Sequence, residues 1–220
     1  MMKLTATIAI LGGAMTYARV GHADDGPSTY AWHDPELRSG IGVSALLGSG
    51  ITTFTYPTMR DTTSPGGGVG GLWDLRVTVG SHTPLAVEVG YVGTLTNIDA
   101  LIGTQRGTLI GTTVEGAVRF NVLPHADWNP YAFTGIGWQR YDITGGNFNL
   151  SDTGMVATDT SVVFPMGAGI CYRSRTGLVF DVRGTFRPNA GAKLVLDAPG
   201  STTYATMNTW EASGAVGYEL

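Results

Sequence analysis

The chain has 220 residues, of which 33 are glycine, 14% are charged and 43% are hydrophobic, with a formal net charge of −4. A soluble domain of this size usually carries about 25% charged residues, so the chain is short of the side chains that coat a water-facing surface. Its single cysteine, Cys171, excludes an intramolecular disulfide framework and a multi-cysteine zinc site, and is expected to be buried.

Residues 1–23 (MMKLTATIAILGGAMTYARVGHA) place Lys3 before an apolar run from Leu4 to about Met15 and end in small residues, Gly21 and Ala23, ahead of Asp24 and Asp25. This is the layout of a signal peptide, and the run is too short to span a bilayer as a helix. Removing the segment takes away Lys3 and Arg19 and leaves 11 basic and 17 acidic residues, a net charge of −6. An acidic exported chain without a Lys/Arg cluster is a poor nucleic-acid binder, and none is expected as a partner. Residues 24–38 (DDGPSTYAWHDPELR) have no hydrophobic period and read as a polar periplasmic leader or plug.

From residue 39 to 220 the chain reads as amphipathic strands with side chains alternating between two faces. The first runs from Gly40 to about Phe54, and the second, LWDLRVTVG, sets Trp73, Leu75, Val77 and Val79 against Asp74 and Arg76. The third, LAVEVGYVGTL, opposes Leu85, Val87, Val89 and Tyr91 to Glu88. The fourth, GTLIGTTVEGAVRFNV, opposes Ile110, Val114, Val118 and Phe120 to Glu115 and Arg119. In the fifth, YAFTGIGWQRYD, placing Arg140 and Asp142 on the polar face also sends Ile136 and Trp138 there, which a bulge would repair. The sixth, SVVFPMGAGICYR, aligns Val162, Phe164, Met166, Ala168, Ile170 and Tyr172. The seventh, LVFDVRGTFR, aligns Leu178, Phe180, Val182 and Phe186 against Asp181, Arg183 and Arg187. The eighth, TWEASGAVGYEL, aligns Trp210, Ala212, Val216, Tyr218 and Leu220 against Glu211 and Glu219.

Outside the fifth strand, every strand charge, Arg173 included, lies opposite the apolar face, which random parity would produce roughly once in two thousand trials. Alternation alone fits either a soluble apolar-core barrel or an inside-out membrane barrel. Connection lengths separate them. Long connections at about 55–69, 96–106, 143–160 and 188–207 alternate with short turns, putting the long loops at one end, as in outer-membrane barrels. On the apolar parity, Trp73, Phe164, Phe186 and Trp210 fall near the long-loop ends, and Phe120, Tyr172 and Tyr218 near the short-turn ends, as two aromatic girdles. The expected fold is therefore all-β: an eight-stranded antiparallel up-and-down transmembrane β-barrel in contact with outer-membrane lipid.

Such an interior is filled by side chains, and buried charges must pair. The expected network comprises Asp74, Arg76, Glu88, Glu115, Arg119, Asp181, Arg183, Arg187 and Glu211. Within it, Glu88 is expected to pair with Arg119, Arg187 with Glu211, and Arg183 with Glu115 or Asp181. Gly42, Gly80, Gly90, Gly167, Gly169 and Gly217 would leave room for the long side chains.

The strand pattern, with the fifth-strand start PYAFTGIGW and the terminal WEASGAVGYEL, resembles the OmpA-type barrel family, and in layout its small stand-alone OmpX-like members. The resemblance implies residence in a Gram-negative outer membrane, no peptidoglycan-binding domain, and recognition of the last strand by the barrel-assembly machinery. That strand usually ends in Phe or Trp and here ends in Leu220.

Chemistry is sparse. His22 lies in the signal segment, His33 in the leader, and His82 and His125 in short turns, none near the long-loop rim where a barrel hydrolase would need one. A metal held by His82 and His125 has no carboxylate at ligand spacing, and Gly66, Gly68 and Gly71 precede a strand rather than joining a strand to a helix, so their GxGxxG is a loop hinge. No catalytic residue, metal or cofactor is expected. GNFNLSD and AKLVLDAPGSTTYAT, in the last two long loops, read either as solvated variable segments or as hairpins presenting a binding edge. The expected function is non-enzymatic, a structural or surface-contact role through the loops; the alternative is a narrow pore or a carrier of small hydrophobic molecules.

Overall fold

The structure is a computed structural model that describes residues 40–63 and 68–220. The expected signal peptide (1–23) and leader (24–38) lie outside the described residues. Strands β1 (Val43–Phe54), β2 (Val69–Val79), β3 (Leu85–Asp99), β4 (Arg106–Asn121) and β5 (Trp128–Thr144) are followed by β6 (Thr158–Val163), β7 (Met166–Arg173), β8 (Leu178–Arg187), β9 (Asn189–Ala190) and β10 (Thr209–Glu219). All pairings are antiparallel, and β1 pairs with β10 while β4 pairs with β5, so the sheet closes on itself.

The ten strands form eight staves. β6 and β7 are one stave interrupted at Pro165, and β8 and β9 one interrupted at Pro188. A proline removes one donor from the ladder and nothing more. The register against β5 runs on without a slip, from Thr134↔Met166 to Gly137↔Val163. Backbone bonds carry the ladder past both prolines: the Gly135 N–H donates to the Pro165 carbonyl at 2.8 Å, and the Phe164 N–H to the Pro188 carbonyl at 2.9 Å.

Exposure follows the sequence period. Along β2 every second residue is buried, and both of its charges lie in the buried set: Arg76 is 0% exposed while its neighbour Val77 is 41% exposed. The barrel is inside-out relative to a soluble domain.

The fifth stave has no bulge. Its register to β4 is unbroken from Asn121↔Tyr131 to Thr108↔Thr144. Ile136 and Trp138 face outward, and so do Arg140 and Asp142. The reason is length. β3, β4 and β5 have 15, 16 and 17 residues against 11 or 12 in β1, β2 and β10, so this wall rises roughly 10–15 Å further along the strands. Arg140 and Asp142 lie beyond Trp138 toward the long-loop end. There the guanidinium donates twice to the carboxylate, at 2.9 and 3.0 Å, and Thr158 donates to it at 2.8 Å.

The taller wall also shortens the second long connection, expected over 96–106, to the residues between Asp99 and Arg106. Two short helices occur in the loops where none was expected. α1 (Pro57–Thr62) starts on a proline, which needs no N–H partner there. α2 (Leu150–Thr153) is capped by the Asn149 side chain, which accepts from the Asp152 N–H, and ends at Gly154 in the left-handed region (φ 70°).

The long loops turn their apolar residues inward. Met59, Phe148, Met155, Leu194, Val195 and Met207 pack on Phe54, Ile98, Leu109, Tyr141 and Ile143, the inward residues at the strand tops, in a core that closes the long-loop mouth. The last two long loops are stitched by the Met155↔Val195 bridge and the Val156 N–H bond to the Leu194 carbonyl at 2.9 Å. The Tyr56 hydroxyl donates to Asp197 Oδ1 at 2.6 Å, tying the first loop to the last; that bond raises its pKa above the ordinary tyrosine value. AKLVLDAPGSTTYAT is thus neither fully solvated nor a free hairpin, since Leu194 and Val195 are 0% exposed.

Leu194→Ala is expected to destabilise this cap by about 2–5 kcal/mol. Hydrogen exchange should then accelerate in the loops at 150–157 and 192–207 while the staves keep their protection. Equal acceleration in the staves would show that cap and barrel unfold as one unit.

Candidate functional site: the charged barrel interior

Alternation carries the strand charges inward, where closure forces them together. Arg183, from the middle of β8, lies at the centre. Its Nη1 donates to Glu88 Oε1 at 2.6 Å, and its Nη2 lies 3.7 Å from Glu115 Oε1 and 3.9 Å from Asp74 Oδ2. Arg187, two inward positions higher, makes a two-pronged bond to Glu115 at 2.9 and 3.1 Å and also pairs with Glu211. Arg76 binds Asp181 at 2.9 Å and lies 3.4 Å from Asp74.

Arg183 pairs with Glu115 as expected, at 3.7 Å, but bonds more closely to Glu88, and Asp181, the other candidate, is held by Arg76 and by the Tyr131 hydroxyl, which donates to its two oxygens at 2.9 and 2.8 Å. Arg119 lies 4.0 Å from Glu88; its closer partners are Asn121 Oδ1 at 2.8 Å and the ring of Tyr131, whose centroid is 3.4 Å from the guanidinium carbon. The fifth stave supplies a competing partner: Tyr131 and Phe133 point inward and are buried, giving Arg119 and Arg183 aromatic faces to stack on.

Sequence reading did not single out either ring as internal, although a signal existed. Tyr131 pairs with Gly169 and Phe133 with Gly167, and a Cβ on Gly169 would come within 2.6 Å of the Tyr131 hydroxyl oxygen. Opposite a ring, only glycine leaves the room. Gly48 does the same for Asp74, whose Oδ1 lies 2.3 Å from where a Cβ would stand.

The short-turn end forms a second polar layer. Asn129 Nδ2 donates to Asn121 Oδ1 at 2.8 Å, and Arg173 Nη1 donates to the Pro124 carbonyl at 2.8 Å. His82 is buried, with Nε2 3.0 Å from Glu219 Oε2, whereas His125 is exposed. Cys171 is a buried free thiol. Among the described residues no three His, Cys, Asp or Glu side chains are grouped to hold a metal.

The outward aromatics cluster in two groups. Phe186 stacks on Trp210 (4.7 Å between centroids) and Trp73 on Tyr91 (5.1 Å) on the long-loop half. Toward the short turns Tyr172 packs between Trp128 (4.8 Å) and Phe180 (6.4 Å). Phe120 and Tyr218 are exposed at that end, and Phe164 is exposed on the long-loop half. Trp128 and Trp138 belong to the same outward surface.

No protein-family model matches the chain, and no curated protein matches it. Solved structures do. Neisserial surface protein A superposes with a TM-score of 0.55 at 11% identity, covering 80% of this chain and 96% of that one. Ail, the attachment invasion locus protein of Yersinia pestis, solved with the heparin analogue sucrose octasulfate, gives 0.50 at 12% identity, covering 82% and 99%. The outer membrane protein OprG of Pseudomonas aeruginosa gives 0.50 at 10% identity, covering 83% and 98%. At such identities the likeness is one of fold: this chain has the closed eight-stranded architecture of outer-membrane β-barrels.

Arg183→Met would leave Glu88 facing the interior without its 2.6 Å partner. Urea unfolding in lipid vesicles, followed by tryptophan fluorescence, is expected to show a loss of about 3–5 kcal/mol. Combining it with Glu88→Gln should cost less than the sum of the single changes by about 1–3 kcal/mol. Additive costs would mean the two groups do not interact.

Proposed function

We propose that the chain is an exported, non-enzymatic outer-membrane protein whose barrel spans the bilayer and whose capped loops form a surface-contact platform. The observation that supports this best is the inversion of faces. Leu47, Val87, Val89, Ile136 and Val182 are more than half exposed, while Arg76, Arg173 and Arg187 are almost wholly buried. A monomeric soluble protein rarely exposes an apolar patch beyond a few hundred Å², and a belt around a whole barrel exceeds that; lipid is the solvent that suits it. No described helix is long and apolar enough to cross a membrane; on this reading the strands do the crossing. Asp181 and Arg183 beside Phe180 and Val182 follow the polar-in, apolar-out parity of such strands.

The closed interior favours a structural and contact role over a pore or carrier. An eight-stranded barrel is only wide enough to be filled by side chains, and here ion pairs fill it and the loop core shuts one mouth. The loops and the strand ends above Trp138 carry Asp61, Asp99, Asp142, Asp152, Asp159 and Asp197 against Arg60, Arg106, Arg140 and Lys193 among the described residues. That surface is mildly acidic, so a sulfated polyanion such as the one bound to Ail has no electrostatic partner here. The outward face of β10 carries Trp210 and Tyr218, both about half exposed; this is the apolar edge the assembly machinery would read.

Membrane-extracted protein is expected to migrate faster unboiled than boiled on a denaturing gel, and to give no conductance steps in planar bilayers. Unchanged migration would contradict the barrel reading. Reproducible single-channel steps would replace the sealed platform with a pore.

A further inference from the structure

The outward surface of the tall wall changes character along its length. Up to Leu95, Val114 and Trp138 it is apolar and exposed. Arg140 and Asp142 on β5 mark the transition, with Asp142 in register with Ile110 and Leu95; above that row the outward positions are Asn97 and Asp99 on β3, Arg106 and Thr108 on β4, and Thr144 on β5. Register sets three of these side by side: Asn97 faces Thr108, and Thr108 faces Thr144. An amide and two hydroxyls therefore lie in one row across three strands, with directly opposed Cβ atoms about 5 Å apart. Asp99 faces Arg106 just above, with Arg106 Nε 3.3 Å from Asp99 Oδ1. Together with the backbone at Gly107 and Gly145, these side chains line a depression of about 360 Å³, within the size range of small-ligand sites, roughly 300–1,000 Å³.

We infer that this depression is a binding site for the sugar headgroup of a glycolipid in the surrounding outer leaflet. The inference rests on the membrane reading above. Net charge points to a sugar rather than a bare phosphate: Arg106 is matched by Asp99 and Arg140 by Asp142, so recognition falls to amide, hydroxyl, carboxylate and guanidinium hydrogen bonds with no surplus cation. The row stands at lipid-headgroup height, two residues above the outward Leu95 and Ile110, about 7 Å along the strand and roughly 5 Å vertically at a tilt near 45°. The wall stands on one side of the barrel, because β1, β2 and β10 have no comparable extension.

The test uses the full chain refolded into phosphatidylcholine vesicles with or without lipopolysaccharide bearing a short core oligosaccharide, then extracted gently so that native mass spectrometry counts bound glycolipid. Asn97→Ala/Thr108→Val/Thr144→Val removes the row while keeping strand-compatible side chains. Thr112→Val, an outward threonine of β4 about 13 Å below Thr108, is the control. Wild type and the control are expected to retain glycolipid, and the triple variant to retain it at least about tenfold less. Free core oligosaccharide should compete, which would identify the sugar as the recognised part, whereas inorganic phosphate should not. Equal retention by wild type and triple variant would overturn the site, as would competition by phosphate alone. Heat-modifiable migration, measured on the same samples, separates the two failures: a barrel that inserts normally but does not discriminate ends the sugar site and leaves the membrane reading intact.

Discussion

The Arg183 guanidinium, held within 4.0 Å of Glu88, Glu115 and Asp74 and 1% exposed, sets the terms for the rest of the molecule. A charge at low dielectric is tolerable only among counter-charges, because removing ions from water costs several kcal/mol each. Closure of the sheet brings those counter-charges within reach: β3 and β4, which carry Glu88 and Glu115, lie across the interior from β8. An open sheet would leave Arg183 facing water on one side and Val182 facing it on the other. Glycines supply the complementary condition, since Asp74 sits where a Cβ on Gly48 would stand and Tyr131 where one on Gly169 would. Inward charge, outward aliphatic and opposed glycine are three consequences of a single parity.

That parity is what the sequence made legible. A strand of period 2 cannot hide which side carries its charges, so seven staves could be assigned faces from residues such as Asp74, Glu115 and Arg183 alone. The fifth resisted because its charges lie beyond its apolar middle. Arg140 and Asp142 face outward toward the long-loop end, where they satisfy each other, and an outward charge there is as consistent with the fold as an inward one below. A parity test that treats a strand as uniform along its length fails where the strand outgrows the apolar belt. The length of β3, β4 and β5 would have been the warning, but Asn97 to Arg106 looks like loop because polar residues and Gly103 punctuate it.

Ion-pair partners were less legible for a second reason. Parity places a charge inside, yet which carboxylate an arginine meets depends on shear, on the closing register and on what else fills the lumen. Arg187 with Glu211 is a short-range choice between neighbouring staves. Arg183 with Glu88 joins residues 95 apart in sequence across the interior. Likewise the loop core draws Met59, Phe148, Met155 and Leu194 from three separate connections. Such a core has no period to detect, and it converts what composition suggests are polar loops into a lid.

The functional picture follows from these two mismatches with a simple barrel. The lumen is packed with ion pairs and its long-loop mouth is closed by a lid, and a wall taller on one side gives the outer surface a polar zone above the apolar belt. On the proposed reading, both features leave the outer surface as the place where the protein works.

The central claim is that lipid meets the apolar parity and the protein interior meets the charged one. The most direct measurement is fluorescence quenching by brominated lipids of a small probe attached to single cysteines at 180, 181, 182 and 183, in a Cys171→Ala background. Period-2 quenching is predicted, with positions 180 and 182 strongly quenched and any folded 181 and 183 variants shielded. Equal quenching along the four positions, or quenching confined to 181 and 183, would contradict it.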